Sequence, residues 1–208
     1  MNSFGSRLAV RRVKDAGRAF KDEKEKHMAK QIWEIDSSHS GVHFTVRHLV
    51  VAKVRGQFAR WSGRLRVEDG DLASASVEVV IDASSIDTGV ADRDTHLRSA
   101  DFLDVEKFPE ITFKGKTAEK RGEVLTVTGD LTIHGVTREA ALEVEYAGET
   151  KDPWGNQRVG FSARTAIDRK DFGLTWNQAL EAGGVLVGDR IAIEIEVEAV
   201  KQTAEKAA

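Results

Sequence analysis

The run Ile191-Ala192-Ile193-Glu194-Ile195-Glu196-Val197-Glu198 repeats every two residues. Successive side chains of a β-strand face opposite sides, so Ile191, Ile193, Ile195 and Val197 share one face while Glu194, Glu196 and Glu198 share the other. Working outward from this stretch, the same period recurs through most of the chain. Val159, Phe161, Ala163 and Ile167 lie opposite Arg158, Ser162 and Arg164. Leu142, Val144 and Tyr146 alternate with Glu143 and Glu145, and Leu125, Val127, Leu131 and Ile133 with Thr126, Thr128, Asp130 and Thr132. Further towards the N-terminus come Ile111 and Phe113, then Val77, Val79 and Ile81, then Trp61, Gly63, Leu65 and Val67, and finally Val42, Phe44, Val46 and His48. Turn signals at Asp69-Gly70-Asp71, His134-Gly135 and Asp152-Pro153-Trp154-Gly155-Asn156 separate several of these segments. The alternation lapses over Asp82–Asp104, where one short helix is expected around Val90–Arg98, and a second helical turn is expected at Asn177–Leu180. The fold class is therefore all-β and antiparallel, with about eight strands and one or two short helices. Strands with one apolar face cover it by closing into a barrel or by pairing as a sandwich, and periodicity does not choose between them.

The composition narrows the function. The chain has 208 residues, no cysteine and a net charge of −3. Disulfides and cysteine-ligated metal are thus excluded, and no apolar run is long enough for a membrane-spanning helix. The charge is uneven: residues 1–30 carry nine Lys/Arg against four Asp/Glu, and the remainder 22 against 30. An acidic body argues against nucleic acid as a partner. The first 30 residues form a charged extension, read as a disordered tail or as a helix making weak membrane-surface contact through residues 1–27. Leu8-Ala9-Val10 is followed at once by Arg11 and Arg12, which is no secretory signal, so the expected location is cytoplasmic. Met28 stands just ahead of the patterned sequence as an alternative start.

An ordered set of short blocks then carries a resemblance. Trp33-Glu34-Ile35-Asp36-Ser37-Ser38-His39-Ser40-Gly41-Val42-His43-Phe44-Thr45-Val46-Arg47-His48-Leu49 opens it, followed by Val54-Arg55-Gly56-Gln57-Phe58, Ser84-Ser85-Ile86-Asp87-Thr88 and Arg93-Asp94-Thr95-His96-Leu97. Asp101-Phe102-Leu103-Asp104, Lys107-Phe108-Pro109, Ile111-Thr112-Phe113, Gly129–Thr137, Asp168–Leu174 and Val187-Gly188-Asp189 complete it. Together they resemble the YceI-like, polyisoprenoid-binding family over residues 31–200, leaving residues 201–208 as a C-terminal tail. The resemblance implies an extended lipocalin-like β-barrel whose bore holds an isoprenoid lipid, such as a polyprenyl phosphate or a quinone precursor, as a carrier or sequestering protein. Relatives often carry a secretory signal; the charged extension here has no counterpart in that pattern. No other cofactor is expected.

Burying a prenyl chain contributes about 0.8 kcal/mol per CH₂ before ordering costs. The expected ligand contacts are Val42, Phe44, Val46, His48, Phe58, Phe102, Phe113, Leu131, Phe161 and Trp176 on apolar faces, with Arg93 as a loop cation for an anionic head group. The histidines invite a metal reading that strand geometry opposes. His39 and His43 stand about 13 Å apart if extended, whereas a shared zinc needs both nitrogens about 2 Å from the ion, and His48 faces away from His43. A metal site would need His96 or His134 brought in by the fold, and none is expected. Asp94, Asp101 and Asp104, interleaved with Arg93, Arg98 and Lys107, read as salt bridges on a solvated connection, and Asp168, Arg169 and Asp171 as a turn or bulge. No nucleophile elbow or phosphate-binding loop is present, so no catalytic residue is expected. Two rival functions stay open: an enzyme using His48 as its acid–base group, or a stress-response interaction protein with a filled barrel, whose exposed edges would pair it into a homodimer.

Overall fold

The computed structural model describes residues 30–49, 51–68, 71–122, 124–179 and 185–202. The charged extension and the tail beyond Gln202 lie outside them, as do Asp69 and Gly70 of one turn signal. The eight period-two segments all become strands, and β1, β3 and β6 join them: β1 (Lys30–Ile35), β2 (Gly41–His48), β3 (Ala52–Phe58), β4 (Trp61–Glu68), β5 (Asp71–Asp82), β6 (Ile86–Asp87), β7 (Glu110–Arg121), β8 (Val124–Ile133), β9 (Val136–Lys151), β10 (Gln157–Asp168) and β11 (Val187–Lys201). They pair in the order β1-β4-β5-β7-β8-β9-β10-β11-β2-β3-β6, and β1 also pairs with β11.

That last pairing closes the ring. Three strand pairs run in line, β1 with β2, β3 with β4 and β5 with β6, each interrupted by a corner. Counting each in-line pair once, the structure is a closed antiparallel barrel of eight strands in which every strand lies beside its neighbour in sequence. The choice between barrel and sandwich is decided by β11. Its C-terminal end pairs with β1 (Ala199 opposite Ile35) and its N-terminal part with β2 (Ile193 opposite Phe44).

The corner between β1 and β2 is stitched down by short polar side chains. The Asp36 amide donates to the Glu198 carbonyl at 2.8 Å. The Ser40 hydroxyl donates to the Asp36 carbonyl at 2.7 Å and accepts from the Glu198 amide at 2.9 Å. Outside this seam Arg158 reaches Asp36 at 2.9 Å, Asp152 at 2.8 Å and Glu198. Each corner also reverses the parity of the inward positions. Trp33 and Ile35 face in on β1, then Val42, Phe44, Val46 and His48 on β2. Across each corner the flanking inward residues (Ile35 and Val42, Phe58 and Trp61, Ile81 and Ile86) are an odd number of positions apart, which keeps the apolar face inward as the strand bends.

At His134-Gly135 both residues have positive φ, 51° and 72°, the conformation of a tight two-residue hairpin between β8 and β9. The expected helix is α1 (Ala91–Arg98). The turn expected at Asn177–Leu180 is not helical over its described residues. The Asn177 side-chain amide pairs with both backbone groups of Val187 (2.7 and 3.0 Å), and Ala179 bridges Val185, so the segment lies extended beside the start of β11. The helical turns are instead 3-10 turns at Ala83–Ser85 and Arg169–Phe172. No helix among the described residues is long and apolar enough to cross a membrane.

The interior is apolar in two parts. Trp33, Val67, Val159 and Ala199 form a buried layer at the end where β1 begins and β11 finishes. A larger cluster, including Ile86, Ile111, Phe113, Leu131, Ile133, Phe172 and Leu174, fills out the walls towards the opposite end.

Candidate functional site: an apolar bore with a polar mouth

Inward positions of the strands enclose a cavity of about 410 Å³, within the range of small-molecule sites. Ile35, Leu65, Ala75, Phe161 and Val197 form its lower wall and pack directly on the Trp33 layer, which is therefore its floor. All eleven expected contacts lie on the wall. Val42, Phe44, Val46 and His48 come from β2, Phe58 from β3, Arg93 from α1 and Phe102 from the loop after it. Phe113, Leu131 and Phe161 come from β7, β8 and β10, and Trp176 from the β10–β11 connection.

The polar side chains of the wall are not spread evenly. His48, Thr88, Arg93, His96 and Arg169 belong to the end built from the β2–β3 hairpin, α1 and the β10–β11 connection. Thr165 also lines the wall, and its hydroxyl is taken by the Ala141 carbonyl at 2.8 Å. His43 and Arg47 border the cavity from outward-facing positions and are exposed.

Four of these mouth residues, Thr88, Arg93, His96 and Arg169, are held by identifiable contacts. Arg93 donates from Nε to the Thr88 hydroxyl at 2.7 Å and from Nη2 to the Thr88 carbonyl at 2.9 Å. That hydroxyl donates in turn to Asp94 Oδ1, which also accepts from the Thr88 amide at 2.9 Å. Arg93 forms no ion pair among the described residues, which leaves its charge for the cavity. His96 meets Asp101 Oδ2 at 2.9 Å and packs edge-on against Trp176 and Phe102, with ring centroids 4.7 and 5.0 Å away. The mouth thus has an aromatic wall beside a cation.

Arg169 is the residue that pattern reasoning missed. It is 2% exposed, and its guanidinium donates to the carbonyls of Leu174, Trp176, Gly188 and Val187 and to Asp189. A single buried arginine therefore ties the β10–β11 connection to the start of β11, and every donor is spent on the protein. Asp168 caps the 3-10 turn that presents it, and Gly173 ends that turn with φ of 79°. The only sequence signal was charge placed among residues that otherwise read as a loop. Lys170 and Arg169 hold the Asp189 carboxyl below its usual range, Lys170 contributing most.

The solvated-salt-bridge reading fits Asp101 and Asp104 but needs correction at Asp94 and Arg98. Lys107 pairs with Asp104 at 2.8 Å and Asp101 meets His96, but Asp94 is buried and Arg98 donates to the carbonyls of Ser84 and Ile86. Arg98 and Asp94 thus lock α1 onto the segment 84–88 of the wall. The histidines also separate as the strands require. Among the described residues the group able to approach one metal ion is Asp36, His39 and Glu198, which contains none of the cavity histidines. Arg158 already spans its two carboxylates. His134 packs edge-on against Phe108 of the loop before β7, at 4.6 Å.

Comparison with known proteins agrees with this geometry. Residues 33–199 match the YceI-like domain. Protein YceI of Salmonella newport is 40% identical over 140 residues, covering 67% of this chain and 73% of that protein. The crystal structure of a Campylobacter jejuni YCEI protein superposes with a TM-score of 0.65 at 32% identity, over 76% of this chain and 90% of that one. A polyisoprenoid binding domain from Saccharophagus degradans superposes with a TM-score of 0.59 over 84% of this chain and 99% of that one. At 15% identity that likeness is one of fold.

Proposed function

Since this chain belongs to the YceI-like domain family, we propose that its barrel binds one long apolar lipid of the isoprenoid class and carries or sequesters it without chemical change. The observation that carries this reading is the polarity of the cavity: an apolar bore on an apolar floor, with its cations and histidines gathered at one end. Such a site takes an amphiphile in one orientation, tail towards Trp33 and head towards Arg93. The expected head is a phosphate, carboxylate or quinone-type carbonyl, each an acceptor for a guanidinium. The polyisoprenoid named for the Saccharophagus degradans domain supports the choice of lipid class.

The acid–base alternative has less support. A general base is ordinarily oriented by a third group, and His48 makes no side-chain hydrogen bond among the described residues. Mass spectrometry of an organic extract of the purified protein tests the proposal. One isoprenoid species in near-stoichiometric amount is expected. Ala163→Trp, which fills the bore from β10, is expected to cut the extractable amount severalfold at a stability cost of about 1–3 kcal/mol. No extractable lipid, or undiminished lipid in this variant, would refute binding in the bore.

A further inference from the structure

The mouth carries a second feature that the bore does not explain. Of the exposed large apolar residues among those described, Leu49, Val51, Val90 and Val185 all sit on connections at the mouth end, and Val51 is 85% exposed. Leu49 and Val51 form the tip of the β2–β3 hairpin, whose Leu49 amide is anchored to the carbonyl of Leu186, itself a cavity residue.

Below that tip the outward face of the hairpin is cationic. Arg47 stands directly opposite Lys53, Arg55 lies opposite Thr45, and all three cations are exposed. Elsewhere on the barrel, cations such as Arg60, Arg64, Lys116, Arg158 and Lys170 are ion-paired. Lys53 and Arg55 have no ion-pair partner among the described residues. The sequence from residue 31 onward is strongly acidic, with 22 Lys/Arg against 30 Asp/Glu, so this face stands out against a field of the opposite sign.

Apolar side chains at a tip, flanked by cations and continuous with the mouth of a lipid-sized bore, match the chemistry of an anionic bilayer surface. We propose that the β2–β3 hairpin docks the barrel mouth-down on such a membrane, with Leu49 and Val51 entering the interface and Lys53 and Arg55 meeting the lipid phosphates. A second copy of this chain is the poorer occupant. Residues Ala52–Gly56 have a neighbour strand on one side only, and the charges of Lys53 and Arg55 on that edge oppose pairing with another strand. The proposal rests on the lipid-binding reading for its purpose, since it supplies the route by which a membrane lipid reaches the bore.

Flotation of the full chain with vesicles of phosphatidylcholine alone, or with about a third phosphatidylglycerol, tests it. Binding is expected only to the anionic vesicles and is expected to weaken in high salt. Lys53→Glu combined with Arg55→Glu removes two cations, each worth about fivefold in binding, so a loss well above tenfold is expected. Val51→Asp, at a side chain already in solvent, is expected to weaken binding with no change in the melting curve. Binding by both variants equal to that of the parent chain would place any contact elsewhere, for instance in residues 1–27, and overturn the proposal. So would absence of binding by the parent chain, or an effect of Val51→Asp on oligomeric state alone. Extractable lipid measured on the same preparations keeps the two readings apart: none in any of them defeats the bore as a lipid site and leaves the vesicle result standing.

Discussion

Arg169 shows how much of this site rests on one side chain. Its planar guanidinium supplies five donors in fixed directions, and four carbonyls and one carboxylate take them. Lysine cannot reproduce that fork. Arg169→Met leaves buried carbonyls without donors and should cost about 3 kcal/mol, read from the midpoint of urea unfolding. Arg169→Lys should recover little of it. A loss below about 1 kcal/mol for Arg169→Met would show that water replaces the arginine at no penalty. The residue's role could not be read from sequence, because a charged residue among Asp168, Lys170 and Asp171 has the composition of a solvated loop. The apolar lining of the cavity was legible for the converse reason. Val42, Phe44, Val46 and Phe161 sit in alternating runs whose inward face is fixed by strand geometry.

At the scale of elements, alternation identified where strands run but not where they bend. Between Trp33 and His48 the chain breaks at residues 36–40, and the inward positions resume on β2 with the opposite parity from β1. Nothing in a period-two count marks such a corner; the marker is the cluster of small polar residues Asp36, Ser37, Ser38 and Ser40. Ser40 is the residue to test. Its hydroxyl both donates to the Asp36 carbonyl and accepts from the Glu198 amide across the barrel seam. Ser40→Ala should destabilise by about 1–2 kcal/mol and speed hydrogen exchange at the Glu198 amide, leaving strands far from the seam unchanged. Uniform acceleration throughout the barrel would instead mean that the corner has no local role. The extended path of Asn177–Ala179 was illegible because its determinant is an amide side chain pairing with Val187, ten residues away.

For the molecule as a whole, the outer charges set the response to acid. Arg158 holds the Asp152 carboxyl well below the usual carboxylate range, with help from Asn156. Asp36 is held equally low, first by the Ser38 hydroxyl and then by Arg158 and His39. Asp82 is lowered by the Ser84 hydroxyl and then by Arg60. A carboxylate whose pKa is depressed by folding stabilises the native state above its unfolded value, about 4. That contribution is lost as the pH falls through the folded value. The melting temperature should therefore be nearly level between about pH 7 and 5 and fall steeply below about pH 4. Arg158→Met should lower the plateau and flatten the acid limb, because fewer protons are then taken up on unfolding. An acid limb as steep as that of the parent chain would assign the effect to other carboxylates.

The seam joins the two ends of the patterned sequence, with Trp33 facing Lys201 and Ile35 facing Ala199. Every other neighbour in the ring is also a neighbour along the chain. A nascent polypeptide can therefore lay down a curling sheet strand by strand during synthesis. Until β11 emerges from the ribosome, that sheet keeps two raw edges and an uncovered apolar trough, the state in which β-rich intermediates aggregate. The final fifteen-residue strand is thus both wall and latch, and the time between synthesis of β10 and β11 is when this protein has the greatest need of a chaperone.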